Sequence, residues 1–278
     1  MVAICRDLPR LRGIYRRTWY ANQLAIKLLK EILSSLGEVK VEAIIIGDAA
    51  NLDKFYGDRP ISSLQLLVHA EHFEIAIQKL QGLGWIIVRS ANQQFIELRG
   101  SSERSPTLPL YIQSHLFNHS QAEADRDRDP QGWKEAKNSW QNGLAWQLSP
   151  TDHLLHECDR VFFAQRSLYP VKYPQIISIA EAFLTIRHQT IDWKRLITQA
   201  QRYQMVTPVR NMLCTLQNLL LLDLPDWVIS ELSQIPIAKS EKYKYPVLKG
   251  DRLAVIRSRL SPLLKLLRSV VKKTENIT

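Results

Sequence analysis

The stretch Gly57-Asp58-Arg59-Pro60-Ile61-Ser62-Ser63-Leu64-Gln65-Leu66-Leu67-Val68 decides how this chain is read, because a polar, proline-marked loop runs directly into a short apolar segment. Ser63 to Val68 has the make-up of a half-buried β-strand. Alternation then places Ser63 and Gln65 on one face and Leu64 and Leu66 on the other. Two polar side chains, two residues apart, therefore share a face at the start of a strand. An aspartate pair at that spacing holds Mg²⁺ for phosphoryl transfer, because this hard cation takes anionic oxygen ligands. Ser and Gln are neutral and poor substitutes.

Working outward, Val41-Glu42-Ala43-Ile44-Ile45-Ile46-Gly47-Asp48-Ala49-Ala50 reads as a buried strand, a glycine turn and a helix start. An amphipathic helix from about Trp19 to Leu36 precedes it. After the polar-faced strand, Ala70 to Gly82 reads as a helix with Phe73, Ile77 and Leu80 inward, and Gly84-Trp85-Ile86-Ile87-Val88 as a strand. Gln94 to Leu98 and Leu110 to Leu116 follow as two more strands, separated by the polar Gly100 to Thr107 region.

In that order the segments resemble the uncharacterised nucleotidyltransferase family of the DNA polymerase β-like superfamily. The resemblance rests on Gly47 of the turn, Arg59-Pro60 ahead of the strand, Gly84-Trp85, and His115 at the end of the last strand. It continues into Leu148-Ser149-Pro150-Thr151-Asp152-His153-Leu154-Leu155-His156 and Ile191-Asp192-Trp193, which look like two of the family's later helix entries. It implies an α+β fold, in which a small mixed nucleotidyltransferase-like sheet with flanking helices is followed by an all-helical C-terminal part.

The departures from the family pattern fall where its chemistry would sit. The resemblance puts Ser63 and Gln65 at the family's two strand aspartates, Gln113 at its third carboxylate and Ile46 at its turn lysine. Four functional positions have lost their charges. The expectation is a degenerate nucleotidyltransferase, a pseudoenzyme with no catalytic residue of its own, that acts as a binding, scaffold or regulatory module. Ligand-binding candidates are Gly47, Asp48, Arg59, Ser63, Gln65, Glu97, Gln113 and His115. Asp48 reads first as an N-cap of the next helix, where its carboxylate would oppose a phosphate. No cofactor is expected. Mg²⁺ and a nucleoside triphosphate enter only under the alternative, an active transferase acting on a small molecule or protein with Glu97, Asp53 or Asp58 as displaced ligands.

At 278 residues, 45% of them hydrophobic, the chain is long enough for two modules. Residues 1–125 are expected to form the α/β domain, 126–148 a linker region around the alternating Asp125 to Asp129 charges, and 149–278 a helical domain. Leu154 to Phe163, Ile176 to Ile186, Trp193 to Tyr203 and Val209 to Leu222 have helical apolar spacing. Ser261-Pro262 to Lys273 reads as a basic amphipathic helix that packs on the protein itself.

Three widely separated cysteines, Cys5, Cys158 and Cys214, argue for a reducing compartment. With neither a signal-peptide pattern nor a membrane-spanning run, the expected location is cytoplasmic. His153, His156, Cys158 and Asp159 form a metal-like cluster, but although the two histidines share a helical face, Cys158 points elsewhere and no second ligand pair follows at a recognisable spacing, so packing is the favoured reading and no metal site is expected.

The net charge of +10 is concentrated at the ends: residues 1 to 40 hold eight Lys/Arg against three Asp/Glu, and residues 251 to 278 hold seven against two. A nucleic-acid or anionic-membrane adaptor led by these ends is the third reading, ranked below an unidentified protein or small-molecule partner. Trp133, Trp140 and Trp146 read as core rather than as a base-stacking platform.

Overall fold

The computed structural model describes residues 2–50, 60–92, 95–100, 108–117, 130–140, 143–163, 175–237 and 241. The chain divides into two compact units, Met1–Ser149 and Pro150–Thr278.

The first unit opens with helix α1, Val2–Glu38, longer than the amphipathic stretch expected from Trp19. Its buried side chains, Ala25, Leu29, Ile32, Leu33 and Leu36, recur at three- and four-residue spacing and so form one stripe. Strand β1, Ala43–Ile46, is buried throughout and leads into a 3₁₀ turn over Gly47–Ala49. Then come β2, Leu64–Val68, helix α2, Phe73–Gly82, and strands β3, Trp85–Asn92, β4, Phe95–Gly100, and β5, Leu110–Gln113. Phe73, Ile77 and Leu80 of α2 are buried, as the periodicity requires.

The stretch read as a linker is instead part of this unit. It contributes the short helix α3, Pro130–Lys134, and two strands, β6, Lys137–Trp140, and β7, Ala145–Gln147. All seven strands join one mixed sheet in the order β3-β4-β5-β2-β1-β7-β6. β1 is a central strand, antiparallel to β2 and parallel to β7, and β2 is parallel to β5.

Alternation sorts the sheet residues into two faces. Ala43, Ile45, Leu64, Leu66, Val68, Ile96, Leu98, Leu110 and Ile112 join α1 and α2 in one apolar core. Register puts Ile44, Ile46, Gln65, Leu67, Phe95, Glu97, Tyr111 and Gln113 on the opposite face. Ser63, Gln65, Glu97 and Gln113, singled out in sequence, are therefore on the face opposite α1 and α2, where Ile44, Ile46 and Leu67 are fully buried. Trp140 is fully buried, whereas Trp133 stacks on His69 with ring centroids 3.8 Å apart and meets Trp146 edge-on.

The second unit is helical over its described residues: α4, Pro150–Phe163, α5, Gln175–His188, α6, Trp193–Arg202, α7, Val206–Leu220, and α8, Asp226–Gln234. The first four match the expected helices, and α8 adds one that the apolar spacing did not reveal. Asp192 caps α6 by accepting from the Arg195 backbone N–H at 2.9 Å. The amphipathic segment from Ser261 lies outside the described residues. Among those described, no helix is long and apolar enough to cross a membrane.

Candidate functional site

The turn out of β1 can be made only by a residue that tolerates a left-handed backbone, and Gly47 sits there with φ of 68°. Ile46 pairs with Gln65 across the β1–β2 ladder, so the Gln65 side chain folds over the turn. A Cβ on Gly47 would lie 2.7 Å from Gln65 Cδ, so any other residue there would have to push the end of that side chain aside. The Gln65 amide then donates through Nε2 to Ser63 Oγ at 2.9 Å. Gly47, Ser63 and Gln65 thus form one contiguous neutral site, closed on itself by its own hydrogen bond.

Asp48 is almost fully buried but does not act as the cap read from the sequence. Ile46 holds the N-cap position of the 3₁₀ turn, without a side-chain cap bond. The Asp48 carboxylate instead accepts from the backbone N–H of Ser62 at 3.0 Å and from its hydroxyl. It ties the β1 turn to the entry of β2. Because hydrogen bonds to a buried carboxylate carry more weight than neutral ones, Asp48→Ala is expected to cost about 2 kcal/mol in urea unfolding. Asp48→Asn, which keeps an acceptor oxygen, should recover part of that loss.

Gln113 shares the face but not the position. It pairs with Leu67 rather than Gln65, is buried, and reaches the Leu116 carbonyl at 3.5 Å. Tyr111 is the residue opposite Gln65, and it lies between that position and Glu97 on β4. Its ring stacks on Phe95 at 5.5 Å. Burial, with the Glu97 charge second, pushes the Tyr111 hydroxyl pKa above its usual range. Glu97 is one strand further out, and its Oε1 accepts from Arg99 Nη2 at 3.0 Å and Nε at 3.1 Å. Two strand spacings, roughly 10 Å, separate the Glu97 and Gln65 backbones.

His115 is buried beyond β5, with Nδ1 2.9 Å from Ser114 Oγ. Arg59, Asp53 and Asp58 lie outside the described residues. The structure therefore brings Gly47, Ser63 and Gln65 together, keeps Gln113 and Glu97 on the same sheet face at separate positions, and gives Asp48 a tethering role.

Tyr111 and Gln147 were missed in sequence. Tyr111 was within reach, since alternation from Gln113 puts it on the same face. Gln147 donates to the Ala50 carbonyl at 3.0 Å and accepts from Ser139 Oγ at 2.7 Å, steadying the chain just after the Gly47 turn. Nothing local marks that contact, because it spans 97 residues.

The donor set does not fit the divalent cations that the fold family uses. Mg²⁺ takes near-octahedral oxygen with carboxylates among its ligands, whereas a hydroxyl and an amide already bonded to each other bring no charge. Among the described residues no group of three or more His, Cys, Asp or Glu converges to hold a metal ion.

A second polar centre lies within the helical unit, where α4 and α5 pack together. His153 Nε2 is 3.9 Å from Glu181, while Glu157, fully buried, pairs with Arg160 at 2.8 Å. Burial alone would raise the Glu157 pKa, but the Arg160 guanidinium, the neighbouring histidines and Ser178 outweigh it and hold it down at about 2. Burial holds His156 at about 3, so its ring is neutral at ordinary pH. Asp152, also buried, takes Arg195 Nη2 on both carboxylate oxygens at 3.0 and 3.1 Å. Cys158 is buried and free, its thiol pKa driven well up by burial.

A family model described as uncharacterised nucleotidyltransferase matches residues 7–220 of the chain. No curated protein matches it significantly. Among solved structures, an antigenic nucleotidyltransferase-like protein from Paracoccidioides brasiliensis shares 12% identity, covering 77% of this chain and 94% of its own, at a TM-score of 0.43. A nucleotidyltransferase candidate from H. pylori shares 11%, covering 88% and 97%, at a TM-score of 0.37.

Proposed function

Since the chain belongs to the uncharacterised nucleotidyltransferase family, we propose that it is a member that has given up nucleotidyl transfer and works as a binding, scaffold or regulatory module. The observation that carries this reading is the hydrogen bond from Gln65 to Ser63 above Gly47. It occupies the two positions where the family pattern places aspartates with a neutral pair that satisfies itself. Such a neutral pair suits a small molecule or a protein segment offering hydrogen-bond groups, and it offers a polyanion no counter-charge. The partner is a protein or small molecule held without a resident cofactor. Free thiols at Cys158 and Cys214 support a reducing, cytoplasmic setting.

The active-enzyme alternative requires carboxylates from elsewhere. Glu97 is the described candidate on this face, and its engagement by Arg99 and its distance from Gln65 weigh against it.

The deciding experiment is a melting screen of the full chain against the four ribonucleoside triphosphates with and without Mg²⁺, paired with transfer of label from a labelled triphosphate. A ligand present at a hundred times its Kd adds about 2.7 kcal/mol to stability, so genuine binding moves the midpoint by several degrees. The expected result is no Mg²⁺-dependent shift and no labelled product. A Mg²⁺-dependent shift, or label transferred to any acceptor, would return the protein to the active class.

A further inference from the structure

We propose that the N-terminal turns of α1 dock on an anionic lipid surface. At 100° per residue, the buried side chains Asn22, Ala25, Leu29, Ile32, Leu33 and Leu36 fall within one arc of the helix. Continued toward the N-terminus, the same arc passes through Ile14, Tyr15 and Thr18, with Trp19 at its margin. There the burial stops: Ile14 is 55% exposed, Tyr15 51% and Trp19 49%. The helix therefore carries its apolar stripe past the end of the core that the stripe serves.

The charges around that stripe say what covers it. Arg12, Arg16 and Arg17 are exposed on the rest of the helix, and no Asp or Glu occurs anywhere from residue 8 to residue 30. The fitting surface offers hydrocarbon to Ile14 and Tyr15, an amphipathic layer to Trp19 at the margin of the arc, and negative charge to three guanidinium groups. An anionic bilayer interface has all three in one plane: aromatic rings settle at the headgroup level, and arginines on the polar side reach acidic headgroups. A second copy of the chain would set three arginines against three. A nucleic acid would meet the arginines and leave the apolar arc uncovered.

Flotation of the full chain with phosphatidylcholine vesicles, with and without phosphatidylserine, tests this. The chain should float with phosphatidylserine-containing vesicles, lose them as salt is raised, and bind pure phosphatidylcholine weakly. Each basic group near such a surface contributes about a fivefold gain, so R12E/R16E/R17E should weaken binding by about 100-fold or more. I14S/W19S should weaken it on the same vesicles with the melting midpoint unchanged, because both side chains are exposed. Equal binding to neutral vesicles, or unaltered binding by both variants, would overturn the proposal. So would absence of vesicle binding alongside self-association or RNA binding that the same variants abolish.

Discussion

Replacing Gly47 with alanine is expected to destabilise the first unit by about 1.5–3 kcal/mol. Two costs add: roughly 1–2 kcal/mol for holding an L-residue in the left-handed region, and a smaller one, about 0.5–1 kcal/mol, for pushing aside the flexible end of the Gln65 side chain. The contact is with the Gln65 amide, whose carbon would stand 2.7 Å from the new Cβ. The clash component therefore depends on Gln65, and the backbone component does not. Gln65→Ala should relieve G47A by about 0.5–1 kcal/mol in a double-mutant cycle read from urea unfolding. Strict additivity would mean that the amide does not rest on the turn, and the self-closed neutral site would lose its basis.

The second large effect is expected in the helical unit. Arg160→Ala leaves the Glu157 carboxylate buried without its guanidinium, a change that typically costs 3–5 kcal/mol. Turning both residues into leucine removes the stranded charge and should restore most of the loss, which a purely steric account of Arg160 does not predict.

The same centre sets the response to acid. His156 has a folded pKa of about 3 against an ordinary 6.5, so between those values the unfolded chain takes up a proton that the folded chain refuses. Its contribution is complete above pH 6.5 and drains away as pH falls toward 3. Glu157, at about 2 against 4.5, loses its own contribution over the lower window. Both slopes have the same sign, so stability falls continuously on acidification. Thermal midpoints measured from pH 7 to pH 4.5 should drop, and His156→Leu should flatten that part of the curve. A variant slope equal to that of the parent would remove His156 from the cause.

Much of the first unit was legible because its strands obey simple alternation. Leu64 and Leu66 are in the core while Ser63 and Gln65 share the other side, as the period of two demands. β6 and β7 were not legible for an equally physical reason. Lys137-Asn138-Ser139 is exposed on an edge strand, so burial never imposed an apolar pattern on it, and Ala145-Trp146-Gln147 is too short to show one. Asp48 misled because an acid after a glycine turn looks like a cap, whereas its partner, Ser62, comes fourteen residues later. The Glu157 centre was legible only in part: His153 and His156 read as packing residues, whereas Glu157 and Arg160 look like an ordinary helix surface until α5 brings Ser178 and Glu181 against them.

The position of β1 has a bearing on how the chain emerges from the ribosome. Ile44, Ile45 and Ile46, all fully buried, pair on one side with β2, which follows soon after, and on the other with β7 at Trp146 and Gln147. Until translation has carried β7 clear of the exit tunnel, a run of three isoleucines lies along an open hydrogen-bonding edge, the kind of surface that recruits stray strands. The nascent protein thus presents this sticky segment about a hundred codons before the strand that covers it. A terminated or stalled product ending before β7 is left with that edge for good.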